Sequence, residues 1–181
     1  MAQKPDITYH LVTGPPLASI ARSLFLAYRA ELGIDLEFQD FSSELDSLPG
    51  SYSPPRGRLY VARVNGEPAG CIALRPLGND TCEMKRLFIL PPYRRLGLGR
   101  VLSQQIIADA RSIGYSRLVL DTLPSMQQAQ SLYCSLGFTE IEPYRFNPVA
   151  GAVFMELTLR DAVQVSHHDL PFSSPGPDIN Q

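Results

Sequence analysis

The stretch Leu87-Phe88-Ile89-Leu90-Pro91-Pro92-Tyr93-Arg94-Arg95-Leu96-Gly97-Leu98-Gly99-Arg100 decides how this chain is read. An apolar, β-prone run ends in a double proline. An Arg- and Gly-rich loop follows, and an amphipathic helix begins. A glycine loop entering a helix presents unpaired backbone N–H groups in a concave nest, and the helix dipole adds partial positive charge at the same point. Arg94, Arg95 and Arg100 add full charges. Together these parts make a site for a pyrophosphate or a similar dianion.

Phosphate loops of different chemistry are told apart by the residues around their glycines. A nucleotide-triphosphate loop needs Lys-Ser or Lys-Thr directly after its last glycine, and here Arg100-Val101 stands after Gly99. A dinucleotide fingerprint needs a third glycine where Leu102 stands, although Asp121 sits at the end of the next predicted strand as its acidic residue would. Residues 91–96 also separate the strand from the first glycine, where the dinucleotide turn is tight. The preceding strands are joined by hairpins and form no βαβ unit.

Working outward, residues 7–12 read as a strand. Leu17, Ile20, Ala21, Leu24, Phe25, Tyr28 and Leu32 keep helical spacing up to Gly33, and a shorter helix is predicted over 41–48. Residues 49–57 are a loop on composition. Strands at 59–64 and 69–74 flank Asn65-Gly66, a strong hairpin signal, and 81–90 forms a third strand of the meander. The helix after the glycines carries Val101, Leu102, Ile106, Ala110 and Ile113 on one face and closes at Gly114. A strand at 117–120 ends at Asp121. Ser125-x-x-Gln128 is a capping box that starts a helix with Ala129, Leu132, Tyr133 and Leu136 on one face. Strands at 138–141 and 152–159 close the fold, the latter as an exposed strand open to pairing between subunits. The order is that of one mixed α/β domain over 1–160, with a polar, turn-rich, flexible tail from 161 to 181.

The chain has 181 residues, enough for one domain with a real core. Its 16 basic and 18 acidic side chains leave a net charge of −2, which argues against a nucleic-acid or membrane-surface binder. No run has the length of a membrane span, and the N-terminus lacks the apolar core of a signal peptide, so a cytoplasmic setting is expected. Cys71, Cys82 and Cys134 have neither disulfide nor zinc spacing and read as small core residues. No metal is expected. His10, His167 and His168 form no catalytic pair in sequence.

The run Leu87-Phe88-Ile89-x-Pro91-x-Tyr93-Arg94-x-x-Gly97-Leu98-Gly99 resembles motif A of the GNAT superfamily of N-acetyltransferases, whose core is Q/R-x-x-G-x-G/A. Further on, Ala129-x-x-Leu132-Tyr133-x-x-Leu136-Gly137-Phe138 resembles that family's second helix-strand signature. Both stand in order with the expected elements between them, and the resemblance extends over residues 6 to 160. It implies a central mixed, mostly antiparallel sheet of about seven strands flanked by about four helices, with the fourth and fifth strands splayed apart.

The resemblance further implies an acetyl-CoA-dependent N-acetyltransferase acting by direct attack of a primary amine of a small molecule or peptide. Backbone groups of Phe88 and Ile89 would hold the pantetheine arm in the gap. Backbone N–H groups of Arg95, Leu96, Gly97, Leu98, Gly99 and Arg100 would hold the pyrophosphate, and the Arg94 side chain would shape or charge the loop. Tyr133 is implied as proton donor to the leaving thiolate, with a core tyrosine as the alternative. Glu83 is a carboxylate in position to deprotonate the amine, or else an ion-pair partner of Lys85 or Arg86.

One position departs from the family pattern: Met126 stands where an asparagine often bonds the pantetheine. Ser125 or Thr122 could take that role, and Ser125 also reads as a helix cap. A catalytically degenerate CoA-binding sensor and, more remotely, a nicotinamide-dependent oxidoreductase are the alternatives. The acceptor would lie against residues 38–56 and 143–151, where Asp40, Tyr52, Arg56, Tyr144, Arg145, Phe146 and Asn147 offer aromatic and charged groups. Monomer and homodimer are both compatible with the sequence.

Overall fold

A computed structural model of the chain describes residues 4–159. The tail expected from residue 161 lies outside the described residues.

Seven strands form one sheet in the order β1-β2-β3-β4-β5-β7-β6. The first four are β1 (Ile7–Leu11), β2 (Arg58–Val64), β3 (Glu67–Pro76) and β4 (Thr81–Ile89), an antiparallel series. Asn65 and Gly66 both take positive φ, 52° and 85°, as the tight hairpin between β2 and β3 requires. Then β5 (Arg117–Thr122) runs parallel to β4, and β7 (Val153–Thr158) lies between β5 and β6 (Thr139–Ile141). The expectation of an exposed closing strand is therefore corrected. β7 is paired on both sides, and the three-residue β6 is the edge.

Four α-helices cover the two faces. On one side lie α1 (Pro15–Leu32) and α2 (Phe41–Ser47). Gly33, at φ 65°, ends α1 as predicted. Ala21, Leu24 and Phe25 of α1 and Phe41 and Leu45 of α2 pack on Leu59, Val61, Cys71, Ala73 and Phe88 of the sheet. On the other side lie α3 (Leu98–Ile113) and α4 (Gln127–Ser135). The buried face of α3 is Leu98, Leu102, Ile106, Ile107 and Ala110, whereas Val101 is 43% exposed. The buried positions run at i, i+4 from Leu98 through Leu102 and Ile106 to Ala110 and are flanked by Ser103 and Ile107, which leaves Val101 on the other side of the helix.

Two further expectations are corrected. The residue capping α4 is Met126, and no side chain caps the helix, so Ser125 stands outside the cap and its hydroxyl is not spent on it. β5 continues through Asp121 to Thr122, which pair with Phe154 and Val153 of β7, and Arg145 and Asn147 supply partners to the Asp121 carboxylate. Cys71 and Cys82 are buried as expected, but Cys134 is exposed on α4.

Candidate active site

β4 and β5 pair only over Thr81, Cys82 and Glu83, opposite Arg117, Leu118 and Val119. Beyond Glu83 the two strands part, and β4 runs on to Ile89 with its backbone edge toward the gap unpaired by β5. A groove of about 710 Å³ occupies this region. Its walls include Phe88 and Ile89 of β4, Ala129 and Leu132 of α4, and Tyr28 and Glu31 of α1.

The groove ends at the start of α3. Residues Pro91–Leu96 make a short 3₁₀ turn, Gly97 turns the chain at φ 76°, and α3 begins at Leu98. The first amides of an α-helix have no intrahelical acceptor, so this start offers donors together with the positive end of the helix dipole. A Cβ added at Gly99 would stand 3.7 Å from Leu132 Cδ2 and 3.9 Å from Ile89 Cγ1, which is ordinary contact. The protein's own packing therefore tolerates a side chain there, and the bare backbone opens onto the groove. Arg94 Nε donates to the carbonyl of Ile89 at 2.9 Å, and its Nη2 pairs with Glu31 at 2.5 Å. Arg94 thus ties the turn to both β4 and α1.

A second, smaller cavity of about 40 Å³ adjoins the groove, and the two share Tyr28, Leu87 and Met126. Tyr133, Asp121, Thr122, Lys85 and Arg86 meet there. The bulge in β4 brings the last two together. Cys71 pairs with Phe88 and Ala73 with Lys85, so Ile72 alone faces Arg86 and Leu87, and Arg86 takes φ 57°.

A buried ionic network surrounds this cavity. Arg86 pairs with Glu44 of α2 at 2.6 Å, and Tyr52 donates to the same carboxylate at 2.8 Å. Burial alone would raise Glu44, but the Arg86 guanidinium outweighs it and holds the carboxyl below its ordinary value. Lys85 is only 5% exposed and donates to Gln39 Oε1 at 2.9 Å. Burial, reinforced by Arg86 and only partly offset by Glu83, pulls Lys85 down to about 7. Arg145 joins Asp121 at 2.5 Å and Glu83 at 3.1 Å, and Asn147 donates to Asp121 at 2.9 Å.

The sequence-predicted residues separate into groups. Phe88, Ile89, Arg94, Gly97, Gly99, Arg100 and Ser125 line the groove. Arg95 and Leu96 are exposed in the 3₁₀ turn, and Leu98 is buried in the α3 core, so none of these three side chains lines it. Tyr133 lines the second cavity, 6% exposed, with its ring 5.8 Å from Phe138. Burial, then Tyr28 and Asp121, push its phenol well up.

Glu83 lines neither cavity. It is fully buried and held by Arg75 at 2.8 Å, Arg145 at 3.1 Å and the Tyr144 hydroxyl at 2.9 Å. Neither Lys85 nor Arg86 is its partner. Of the expected acceptor residues, Tyr52 is buried against Glu44, and Arg56 is engaged by the carbonyls of Gly78 and Asn79. Asp40 is exposed at the start of α2. Phe146 is 78% exposed between the anchored Arg145 and Asn147. Tyr28, Glu31, Gln39, Lys85 and Arg86 do not stand out as site residues in the sequence. The readable signal is the adjacent pair Lys85-Arg86 within a strand that is otherwise mostly apolar.

Among the described residues no group of three or more His, Cys, Asp or Glu side chains is placed to hold a metal ion, and no helix is long and apolar enough to cross a membrane.

Comparison with known proteins agrees with this geometry. The model of the acetyltransferase (GNAT) family matches residues 19–138. An uncharacterized N-acetyltransferase of Schizosaccharomyces pombe is 39% identical over 161 residues, covering 88% of this chain and 99% of that one. Another, of Escherichia coli, is 30% identical over 135 residues, covering 73% and 80%. Among solved structures, an acetyltransferase from Streptococcus agalactiae superposes with a TM-score of 0.71 at 24% identity, over 84% of this chain and 98% of that one. A protein from Salmonella typhimurium, solved with its cofactor acetyl-CoA, does so with a TM-score of 0.61 at 19% identity, over 93% and 99%.

Proposed function

The chain belongs to the GNAT family of acetyltransferases, and we propose that it transfers the acetyl group of acetyl-CoA to a primary amine by direct attack. The observation that carries this reading is the groove that runs from the parted strands β4 and β5 to the start of α3 at Gly97–Arg100. Its shape suits an extended thioester arm ending in a pyrophosphate. The edge of β4 at Phe88 and Ile89, which β5 leaves unpaired, takes the arm as a strand edge takes a peptide, with the Ile89 carbonyl already bonded by Arg94. The first amides of α3 take the phosphates, with Arg100 beside them. Ser125, released from capping α4, offers its hydroxyl where Met126 cannot hydrogen-bond.

Asp121 orients the acceptor nitrogen, and a backbone amide of β4 meets the developing oxyanion. Tyr133 donates a hydrogen bond to the leaving sulfur. Its raised pKa makes complete transfer to a thiolate uphill, an alkyl thiol lying at about 8.5. The phenol therefore passes on the proton shed by the acceptor nitrogen as it gives up its own. Glu83 acts through Arg145, which it shares with Asp121, and is a positioning residue for the loop between β6 and β7.

Titration of the purified, cofactor-free protein with acetyl-CoA, with NADH as the comparison, tests the reading. Saturable binding of acetyl-CoA near one to one, followed by thiol release with an amine panel, is the expected result. Binding of NADH in place of acetyl-CoA overturns it. Binding of acetyl-CoA without turnover of any amine identifies a CoA sensor instead.

A further inference from the structure

We propose that the acceptor amine carries a carboxylate, held at Lys85 where β4 bulges toward Gln39, so that the acceptor is a small amino acid-like molecule. The inference rests on the acetyl-transfer reading above. It begins with an imbalance of charge. Around the second cavity Arg75 faces Glu83, Arg86 faces Glu44, and Arg145 faces Asp121. Lys85 is the cation of this cluster with no carboxylate at ion-pairing distance among the described residues, and its ammonium donates to an amide oxygen of Gln39.

A buried ammonium without a counterion is costly, and the site lowers that cost by holding Lys85 partly neutral at physiological pH. Arg86 beside it, Arg145 from the β6–β7 loop and Arg75 of β3 all oppose its charge, while Glu83 alone of the nearest groups favours it. Asp121 of β5, Tyr133 of α4 and Tyr28 of α1 complete the walls, with Glu44 engaged by Arg86. A ligand carboxylate placed here gains an ammonium, and the ammonium gains its counterion.

The same cavity holds an unused group. Thr122 Oγ1 is buried and has no hydrogen-bond partner, although a buried hydroxyl is seldom left so. Thr122 lines the cavity, and a polar ligand that reaches its hydroxyl supplies the partner it lacks. The opposite sign is also present, because Asp121 lines the cavity and is held in place by Arg145 and Asn147. The lining therefore offers a carboxylate to an amine and an ammonium to a carboxylate. The volume, about 40 Å³, takes only a few heavy atoms beyond the groove, so the two groups must lie a few bonds apart. A polyamine would instead bring a second cation against Lys85 and Arg86.

The test pairs each common amino acid with the amine left when its carboxylate is removed, with putrescine as a dication. Acetyl-CoA binding is measured first, then thiol release with the panel, then calorimetric binding of the panel to the CoA-loaded protein at pH 8. Amino acids are expected to exceed their carboxylate-free partners by about 100-fold or more in kcat/KM. Bound with its ammonium intact beside Asp121, an amino acid is expected to bring a net proton uptake at Lys85, seen as a dependence of the heat on buffer ionisation. Lys85→Met should lose both the preference and the proton uptake while binding acetyl-CoA like wild type. Thr122→Val should reduce the preference without abolishing it.

Equal or better use of carboxylate-free amines overturns the proposal. So does an undiminished preference in Lys85→Met, or the failure of every amino acid to bind the CoA-loaded protein. Loss of acetyl-CoA binding in wild type would bring down the acetyl-transfer reading itself, whereas acetylation of simple amines would bring down only the carboxylate.

Discussion

Lys85 and Arg86, consecutive in the chain, donate to the same oxygen, Gln39 Oε1, at 2.9 and 3.1 Å. Neighbours in a regular strand point to opposite faces. Here the bulge opposite Ile72 and the left-handed backbone at Arg86 turn both cations toward Gln39, in the turn that precedes α2. This concentrates positive charge where β4 leaves β5, beside the groove. The bulge is thus the local device that converts a sheet strand into one wall of a charged cavity.

Lys85 makes stability depend on pH in a definite direction. Its folded value is lowered to about 7, so between pH 7 and 9 the unfolded chain keeps a proton that the folded protein has released. Stability must rise with pH across that window. The expected rise, relative to Lys85→Met, is about 2 kcal/mol by urea denaturation at pH 7, 8 and 9. A constant difference between the two proteins would show that the folded protein keeps Lys85 protonated.

Arg86 and Glu44 form the most buried ion pair of the site, at 2% and 10% side-chain exposure. Glu44→Ala leaves the guanidinium without its carboxylate and should cost about 3–5 kcal/mol. Because the Glu44 carboxyl lies below its ordinary value, its contribution is complete above that value and is lost as pH falls through the lowered one. Wild type should therefore lose stability more steeply on acidification than Glu44→Gln, measured by thermal unfolding between pH 6 and pH 3.

Much of this architecture was legible because it is written in local chemistry. Asn65-Gly66 can hardly avoid a tight turn, and Gly33 and Gly114 end their helices with positive φ as expected. The glycine loop marked where α3 begins at one end of the groove. What could not be read depends on partners far apart in the chain. Ser125-x-x-Gln128 has the letters of a capping box, yet α4 begins two residues after Ser125, at Gln127. Glu83 is neutralised by Arg75 and by Arg145, 62 positions beyond it, so its neighbours Lys85 and Arg86 were the wrong partners to consider. Lys85 acquired significance only once Gln39 and Arg86 were placed against it.

The two motif glycines should respond differently to alanine. Gly97 has φ 76°, so Gly97→Ala forces a left-handed backbone on a side chain and should cost about 1–2 kcal/mol. Gly99 is helical with room for a Cβ, so Gly99→Ala should leave stability unchanged or raise it by up to about 1 kcal/mol. Its methyl group enters the groove, and acetyl-CoA affinity should fall by about 10-fold. Melting temperatures and calorimetric titrations on both variants separate the two effects. Equal affinity in Gly99→Ala would mean that the phosphates lie away from this backbone.

Tyr133 is where a merely structural role and a chemical one make opposite predictions. Its ring packs against Phe138, and its hydroxyl belongs to a residue lining the cavity beside Asp121. Tyr133→Phe keeps the ring and removes only the hydroxyl. A core tyrosine would then lose little, whereas a hydrogen bond to the leaving sulfur would vanish. The expected result is kcat lower by about 100-fold with acetyl-CoA affinity and melting temperature nearly unchanged. The pH profile supplies a second reading. Burial and the Asp121 carboxylate keep the phenol protonated through neutral pH, so wild type should show no loss of kcat from phenol ionisation up to pH 9. Wild-type kcat in the phenylalanine variant would remove Tyr133 from the mechanism. An alkaline loss of kcat below pH 9 that disappears in Tyr133→Phe would instead show a hydroxyl that ionises readily, contrary to the burial seen here.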